Sequence, residues 1–317
     1  NIWQCLNRNQ FGQVTAYNMF NQYPHTFNYF DGRLQGQYIS LANAVSTSIT
    51  YTTSPTNDNI LSAAYVNQYL LNGTYTGIME TYQYDNFYRL NNITTYNAVN
   101  RPVWIGWSSP VAQQNISYAP NGNILHKDGT GDYVYDPVKS HAVIKIENPA
   151  PDLINKPQQN ILYNSFLQPY QITEGNYELQ YTYGYDQQRR ISELKQNGNV
   201  VKTIVYQKNY EEITAGTITY SVHYVYSPDE LVAMIVKYDS ANVSYEKVYG
   251  VVTNHQGSIM ALYDTQGKIV WETSYDAWGR ERNIAGADYS IPPARPVWLI
   301  RGYTGHEHLA EFGLINM

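Results

Sequence analysis

The sequence predicts an all-β protein, built as an array of β-hairpins that form one long curled sheet. Three observations carry this prediction: short segments that alternate in polarity, glycine turns at strand-length spacing, and an excess of tyrosine. The chain has 317 residues, of which 33 are tyrosine and only 7 phenylalanine. Tyrosine favours strands and combines an apolar ring with a polar tip, so this composition suits sheets whose faces meet apolar and polar groups.

The repeating unit is clearest in residues 263–280, YDTQGKIVWETSYDAWGR. Two copies of one phrase start twelve residues apart, each reading Tyr-Asp, two variable residues, Gly and a basic residue. Between the copies, alternate positions hold Ile269, Trp271, Thr273 and Tyr275. Such alternation predicts a strand with two different faces. The Gly predicts a turn where the chain folds back, so each copy should form a hairpin.

Residues 1–80 carry the pattern in a divergent form. A phrase shortened by one residue occurs at Asp31-Gly32, and Asn72-Gly73 is a hairpin turn signal. Residues 59–71 admit a short helix as an alternative. Their Asn and Tyr content and the lack of a 3.6-residue period favour strands.

From residue 80 onward the phrase is easier to recognise. It recurs at Tyr84, with Tyr88 in the Gly position, and at Tyr118, with Gly122 in its proper place. Asp128-Gly129 predicts a further turn soon after. Residues 147–176 then contain Pro149, Pro151, Pro157 and Pro169. Because proline interrupts strand ladders, we predict an irregular crossing segment there.

Residues 177–317 match the pattern best. Tyr185-Asp186 begins a further phrase with Arg189 in the Gly position, and Asn197-Gly198 predicts a turn. The longest single-faced run consists of Ile218, Tyr220, Val222, Tyr224 and Tyr226. The prolines within residues 284–298 predict a loop. Because strands of one type resume after the crossing segment, we predict a single domain over residues 1–317.

Charge and cysteine content exclude several classes. The net charge is −6 with 15% charged residues, and the absence of basic runs argues against nucleic-acid and anionic-membrane binding. The single cysteine, Cys5, excludes an intrachain disulfide. The longest apolar run, residues 231–236, is too short to span a bilayer.

These motifs resemble the Rhs family of YD-repeat proteins. The phrase is intact at residues 275–280, and NHQGSIMALYDTQGKIVWETSYDAWGR is similar to the end of an Rhs core. The stretch RGYTGHEHLAEFGLINM resembles the segment just before the terminal cap of that core. The resemblance covers residues 80–317 well and residues 1–80 loosely. It identifies the chain as a fragment that ends just before the cap.

The resemblance implies a β-strip wound into a hollow shell, the Rhs β-cocoon. In bacterial polymorphic toxins, type VI secretion effectors and insecticidal toxin complexes, such shells enclose a C-terminal toxin domain. Teneurins use a similar shell for adhesion. We therefore expect a non-enzymatic encapsulation module, secreted or at the bacterial cell surface. Its expected partner is the C-terminal toxin or effector domain of the same polypeptide, with secretion-apparatus proteins or cell-surface glycans as further partners.

The family's self-cleavage motif is not matched. In bacterial members an Asp-Pro-x-x-Gly motif in the cap carries aspartyl self-cleavage. Here the only Asp-Pro is Asp136-Pro137, which is followed by Val138 and Lys139 and lies in the wrong place. Neither the protease nor the toxin is predicted for these residues, and we predict no catalytic, cofactor-binding or metal-binding residue.

Two alternative functions stay open. The density of Tyr, with six Trp, suits an adhesion or carbohydrate-binding surface. A glycosidase or metallohydrolase is supported by weaker signals. The candidates for it are the carboxylates Glu211, Glu212 and Glu230 and a metal set of His306, His308 and Glu311. Four other signals are better explained by structure: His255 as a catalytic residue, Ser258 as a hydrolase serine, Cys5 as a nucleophile and residues 128–132 as a calcium loop.

The Asp of each phrase also has a structural interpretation. It follows a strand and precedes a turn, so its carboxylate is expected to accept hydrogen bonds from turn amides. The basic residue four positions later is expected to pair with it. At a surface that pair contributes about 0 to 1 kcal/mol.

Overall fold

In a computed structural model, residues 1–41, 45–69, 74–100, 105–150, 159–283 and 294–316 are described. Their secondary structure is almost entirely antiparallel β-strand, which confirms the predicted fold class. The strands form two large sheets and two small hairpins, and neither large sheet closes on itself within these ranges. Among the described residues, no helix has the length and hydropathy needed to cross a bilayer.

The first sheet has 13 strands, which follow one another in chain order except that β9 pairs only with β8. They are β1 (Trp3–Arg8), β2 (Val14–Met19), β3 (Tyr23–Phe30), β4 (Arg33–Ser40), β5 (Val45–Thr53), β6 (Ile60–Tyr69), β7 (Thr74–Tyr84), β8 (Leu90–Asn100), β9 (Ile105–Trp107), β10 (Ala112–Tyr118), β11 (Ile124–Lys127), β12 (Gly131–Tyr135) and β13 (Val143–Glu147). Neighbours in sequence are thus neighbours in space, as expected for an array of hairpins.

The second sheet has 11 strands, again in chain order. They are β14 (Asn160–Tyr163), β15 (Pro169–Glu174), β16 (Tyr177–Tyr183), β17 (Arg189–Gln196), β18 (Asn199–Gln207), β19 (Tyr210–Ala215), β20 (Ile218–Tyr226), β21 (Leu231–Asp239), β22 (Ser244–Thr253), β23 (Ile259–Tyr263) and β24 (Ile269–Glu272). The small hairpins are β25 (Ser274–Tyr275) with β26 (Glu281–Arg282), and β27 (Glu307–Leu309) with β28 (Leu314–Asn316). A short 3-10 turn, Tyr303–Gly305, precedes β27.

The strand preference for residues 59–71 is confirmed over β6, while Asn72-Gly73 lies outside the described residues. The prediction that residues 147–176 are irregular is wrong for two stretches, which form β14 and β15. Pro169 is compatible with β15 because it is the first residue of the strand. Pro151, Pro157 and residues 284–293 of the predicted loop lie outside the described residues. The single domain stays a prediction.

The two predicted hairpins of residues 263–280 are confirmed, but the strand between them is interrupted at Thr273. The Thr273 N–H donates to the Met260 carbonyl, whereas its hydroxyl donates to the Arg282 carbonyl (2.8 and 3.2 Å). The chain passes here from the second sheet into the β25–β26 hairpin. Ser274 is consequently buried like its neighbour Tyr275, so the predicted two-faced alternation ends at this point.

Strands β21–β23 form the middle of three layers. One of their faces contributes Val232, Ala233, Val252, Met260 and Tyr263 to a core shared with β2–β6 of the first sheet. The other face contributes Met234, Val236, Val251 and Leu262 to a second core, which Trp298, Leu299 and Ile300 cover. The two sheets and the carboxyl-terminal residues are therefore joined by continuous apolar packing.

Candidate functional site at the sheet junction and the carboxyl-terminal segment

The Tyr-Asp phrase forms a specific hairpin turn. In the copy at Asp264, the carboxylate Oδ1 accepts from the N–H groups of Gln266 (3.0 Å) and Lys268 (2.9 Å). The Gly267 N–H donates to the Asp264 carbonyl (2.9 Å). Gly267 has a φ of 75°, a conformation that glycine adopts without steric cost. The expected stabilisation of the turn by the carboxylate is confirmed.

The same turn recurs, with Asn replacing Asp at several places. An Asx side chain accepts two turn N–H groups in the same way at Asn9, Asp85, Asn164, Asn254 and Asp276. The expected pairing with a following basic residue is confirmed at Asp85 and Arg89 (2.6 Å). Asp186 and Arg190 are also paired (2.6 Å), although Gly184 holds the Asp position of that turn. The phrase is therefore a structural unit.

The predicted register of one phrase is wrong by two residues. The left-handed position of that turn is Gln187, with a φ of 60°, and the turn begins at Gly184. The strand tyrosine of the phrase is thus Tyr183, which lies two residues after the buried Tyr181 on β16. Tyr185, predicted to begin this phrase, is fully exposed at the turn.

The residue after the left-handed position ties neighbouring turns together, a role that sequence reasoning missed. Its side chain donates to a carbonyl of the next turn on the same edge of the sheet in four places. These bonds are Gln13 to Gly32 (2.9 Å), Arg89 to Ala119 (3.2 Å), Asn123 to Ser140 (2.7 Å) and Gln168 to Gln187 (2.9 Å). The recurrence of a long polar residue at this position was the available signal.

A cleft of about 470 Å³ lies where the first sheet meets the turn between β20 and β21. The Glu230 carboxylate lines it and accepts from the hydroxyls of Tyr17 (3.1 Å) and Thr253 (2.9 Å). Glu230 therefore links β2 of the first sheet to β22 of the second. Burial raises the pKa of Glu230 to about 7. Near neutral pH this carboxyl group is thus close to half protonated.

A buried histidine forms the second polar link between the sheets. The His25 ring stacks on Tyr17 with centroids 4.4 Å apart, and its Nε2 shares a hydrogen bond of 2.7 Å with the Tyr263 hydroxyl. Burial lowers the pKa of His25 to about 3, so the ring is neutral at physiological pH. Gly250 makes room for the Tyr263 ring, because a Cβ at this position would lie 2.1 Å from it.

Residues 294–316, the carboxyl-terminal segment, lie across the buried face of the second sheet. Trp298, Leu299 and Ile300 pack on the core formed by strands from β18 to β24. Further on, Leu309 and Phe312 pack with side chains from β15–β17. The segment therefore covers most of the width of the second sheet.

Three ion pairs fix the carboxyl-terminal segment to the sheet. Arg301 binds Glu211 (2.5 Å), Arg189 binds Glu307 (2.5 Å) and Lys202 binds Glu311 (2.8 Å). The Glu211 and Glu307 side chains are only 2% and 3% exposed. Each also accepts a tyrosine hydroxyl, from Tyr224 (2.5 Å) and Tyr206 (2.7 Å) respectively. Such pairs position the segment, because removing one partner leaves a buried charge uncompensated.

The β25–β26 hairpin makes the corresponding contact with the first sheet. Arg282 is buried and binds Glu80 of β7 at 2.8 Å. The Lys127 ammonium of β11 lies 4.0 Å from the centroid of the Trp278 ring. The chain after β24 thus contacts the buried faces of both sheets.

The candidate metal set is engaged in separate interactions. His308 Nε2 accepts the Tyr303 N–H (2.9 Å), while His306 Nδ1 shares a hydrogen bond with the Thr304 hydroxyl (2.6 Å). The third member, Glu311, is paired with Lys202. Across the described ranges, no group of three or more His, Cys, Asp or Glu is arranged to hold a metal ion.

The other candidate residues also have structural partners. The His255 ring lies edge-on against Tyr51, and the backbone N–H of His255 donates to the Tyr51 hydroxyl (2.9 Å). Ser258 is fully buried and its hydroxyl accepts the Thr304 N–H (3.0 Å). Cys5 is a half-buried free thiol on β1. His255 and Ser258 are thus each held by a structural contact.

The acidic candidates also accept hydrogen bonds within the structure. Asp128 accepts from the backbone and side chain of Asn115 (2.7 and 2.8 Å), and with Asp132 it flanks the His126 ring. Glu212 accepts the Tyr210 hydroxyl (2.9 Å). Asp136, of the Asp-Pro pair, accepts turn N–H groups from the two residues after Pro137 (2.7 and 2.8 Å).

Of the comparisons with known proteins, the one with solved structures found matches. No family model and no curated protein matches the chain. Among solved structures, it is similar to a chain in a crystal structure of TcdB2-TccC3-Cdc42, with a TM-score of 0.65, 16% identity and 96% of this chain covered. It is also similar to a chain in the Photorhabdus luminescens Tc holotoxin pore with a mutation in TccC3, with a TM-score of 0.63, 17% identity and 99% coverage. A crystal structure of TcdB2-TccC3 matches at a TM-score of 0.62, with 17% identity and 99% coverage.

The fold of the chain is therefore similar to that of part of the chains in these solved structures. The chain spans 17% to 18% of the length of the chains that it matches. At these identities the similarity concerns the fold.

Proposed function

We propose that this chain is part of an Rhs-repeat shell that encloses, and helps to deliver, a C-terminal toxin or effector domain. The observation that carries the proposal is the large exposed surface. A compact protein of 36.4 kDa exposes about 13,500 Å². This chain exposes 17011 Å², an excess of about 3,500 Å². An open wall with two faces and two edges has this property, whereas a compact globular enzyme does not.

The fold similarity to Tc toxin chains supports the same proposal, since one of the solved structures is a holotoxin pore. The proposed role is structural and requires no catalysis by these residues. Its partner is the toxin or effector domain of the same polypeptide. The proposed location is outside the bacterial cell, secreted or at the cell surface.

The carboxyl-terminal segment gives the wall an orientation. In the proposed shell the enclosed domain follows the carboxyl-terminal segment in the chain, so this segment lies on the inner face. That face is the one on which Leu309 and Phe312 pack against β15–β17. The ion pairs of Arg301 and Glu307 hold the segment there. The exposed face of β14–β20 is then the outer surface.

Protease protection tests the proposal. The complete protein is digested with a nonspecific protease, and the survival of the C-terminal domain is followed by immunoblotting against a tag within it. We expect the domain to outlast an identical domain expressed alone by a wide margin. Rapid digestion of the domain while the β-strip stays intact would contradict enclosure.

A second candidate, a carbohydrate-binding surface, is supported by a tyrosine ladder. Tyr220, Tyr238 and Tyr245 are direct cross-strand neighbours on β20–β22. The Tyr238 and Tyr245 rings are stacked with centroids 4.8 Å apart, and Tyr245 is 45% exposed. Glycan-array binding that is lost in Tyr245→Ala would favour this candidate. Absence of binding across a broad array would count against it.

A further inference from the structure

Exposed apolar side chains are concentrated at the turns on one edge of the first sheet. They include Phe11 (64% exposed), Phe30 (72%), Phe87 (76%), Tyr88 (64%) and Val138 (89%). These residues belong to the turns after β1, β3, β7 and β12. In an antiparallel array every second turn lies on the same edge, so all four turns share one edge. The remaining turns on it, after β5 and β10, present the exposed Pro55 and Pro120.

On the opposite edge, the turns after β4, β6 and β8 lie largely outside the described residues. The described turns after β2 and β11 present polar residues such as Asn21, Gln22 and Thr130. The second sheet has the same asymmetry. On one edge Phe166, Leu167 and Tyr185 are 61%, 82% and 101% exposed. On its other edge the turns are polar or glycine-rich, with Val243 as the exposed exception.

The apolar-tipped edges of the two sheets lie at the same end of the junction. Tyr51 at the end of β5 contacts His255 in the turn after β22. Both residues are next to turns of the apolar-tipped edges, and Tyr23 and Thr265 make the equivalent contact between the opposite edges. We call the edge of the first sheet that carries Phe11, Phe30, Phe87, Tyr88 and Val138 the apolar edge.

The apolar edge is held in place and regularly spaced. The Asx hydrogen bonds fix individual turns, and the bonds of Gln13, Arg89 and Asn123 join neighbouring turns. Since strands lie about 4.8 Å apart, turns on one edge repeat about every 9.6 Å. A partner whose side chains fill the spaces between these tips needs the same repeat of about 9.6 Å. The apolar edge of a second copy of this chain has that repeat.

The charges on the apolar edge balance in number: Arg8 and Lys139 lie on the same edge as Asp31 and Asp136, and two further basic residues are ion-paired. Arg33 binds Asp58 (2.5 Å) and Arg89 binds Asp85 (2.6 Å), each across or within turns of this edge. Two copies of the edge therefore meet without strong like-charge repulsion. This also disfavours an anionic membrane as the partner, because the edge lacks an unpaired basic cluster among its described residues.

The available area is sufficient for a stable contact. Large aromatic side chains bury about 150 to 250 Å² each. Five tips exposed by 64% to 89%, together with Pro55 and Pro120, offer on the order of 800 Å². That equals about the area that one partner contributes to an interface of standard size.

We propose that the apolar edge binds the apolar edge of a second copy of this chain, so that two hairpin strips meet edge to edge around a two-fold axis. The contact joins two open strips into a larger wall. It goes beyond the enclosure of a toxin domain, because it requires no cargo. It uses turn side chains, and the ladder hydrogen bonds of both sheets stay intact.

Sedimentation velocity of the isolated chain over a concentration series tests the proposal. We expect a concentration-dependent dimer, and we expect Phe30→Ser/Phe87→Ser to weaken its Kd by about 30-fold or more, as for central interface residues. The matched control is Val243→Ser, which changes an exposed residue on the opposite edge of the second sheet and should leave the Kd within about twofold. Circular dichroism confirms that each variant is folded.

Several results would overturn the proposal. A chain that stays monomeric at all concentrations contradicts it, and so does a dimer that the control variant weakens as much as the edge variant. Co-sedimentation of a monomer with phosphatidylcholine vesicles would assign the edge to a lipid surface instead. If the double variant does not fold, Phe11→Ser carries the same test, with a weakened dimer as the expected result. A failed protease-protection experiment leaves this test unaffected, since no cargo is present.

Discussion

Replacing Glu211 with glutamine should loosen the carboxyl-terminal segment from the second sheet. The Glu211 side chain is 2% exposed and accepts hydrogen bonds from Arg301 and Tyr224 (both 2.5 Å). Glu211→Gln retains the shape but leaves the Arg301 guanidinium without its counter-charge. Removing one partner of a buried pair costs about 3 to 5 kcal/mol. Because the Arg301 side chain is 26% exposed, water recovers part of this cost, and we expect about 3 kcal/mol.

Urea denaturation monitored by circular dichroism measures this change in the free energy of unfolding. The matched control is Glu147→Gln, which breaks the pair of Lys145 and Glu147, whose side chains are 61% and 51% exposed. That exposed pair should contribute about 0 to 1 kcal/mol. Limited proteolysis should also cut the segment after residue 294 earlier in Glu211→Gln than in the control. A loss no larger than that of the control would refute the claim that buried ion pairs hold the segment.

Four further predictions concern the core, the sheet junction and the turns. Phe312→Ala should lower the free energy of unfolding by about 3 to 5 kcal/mol in urea denaturation, because the ring is 1% exposed and its loss leaves a cavity. Acid should weaken the sheet junction. On folding, the pKa of His25 falls from 6.5 to about 3, because the ring is buried. The contribution of His25 to stability is therefore complete above pH 6.5 and is lost as the pH falls toward 3. His25→Gln should flatten this acid limb in urea titrations, and an unchanged limb would assign it to other groups. On folding, the pKa of Glu230 rises from 4.5 to about 7. The folded state is therefore destabilised increasingly as the pH rises from 4.5 to 7, because the carboxyl group loses its proton more readily in the unfolded chain. Glu230→Gln should stabilise the protein by about 2 kcal/mol at pH 8 and leave its stability unchanged at pH 4. Gln187→Gly should raise the free energy of unfolding by about 0.5 to 1 kcal/mol, because Gln187 has a φ of 60°; a destabilised variant would contradict that assignment.

The fold class and most turn positions could be predicted because they depend on local chemistry. The Asp264 phrase contains its own turn acceptor and its own left-handed Gly267, and both signals lie within five residues. The register error at Gln187 arose where the Gly was missing. There the exposed Tyr185 mimicked the strand tyrosine, and only the burial of Tyr181 separates the two readings.

The sheet junction could not be predicted, because its partners are far apart in the chain. Tyr17 and Glu230 are 213 residues apart, and His25 and Tyr263 are 238 apart. A hydrophobic period of two or 3.6 residues does not specify which strands of the two sheets pack against each other. The ion pair of Arg301 could not be predicted for the same reason, since its partner Glu211 is 90 residues away.

We propose that this chain forms the wall of a hollow shell, with the carboxyl-terminal segment on the inner face. Cryo-electron microscopy of the complete protein tests it most directly. We predict a closed β-walled cavity with density for an enclosed domain, and residues 294–316 lining the lumen against β15–β22. A solid particle, or a carboxyl-terminal segment on the outer surface, would contradict the account.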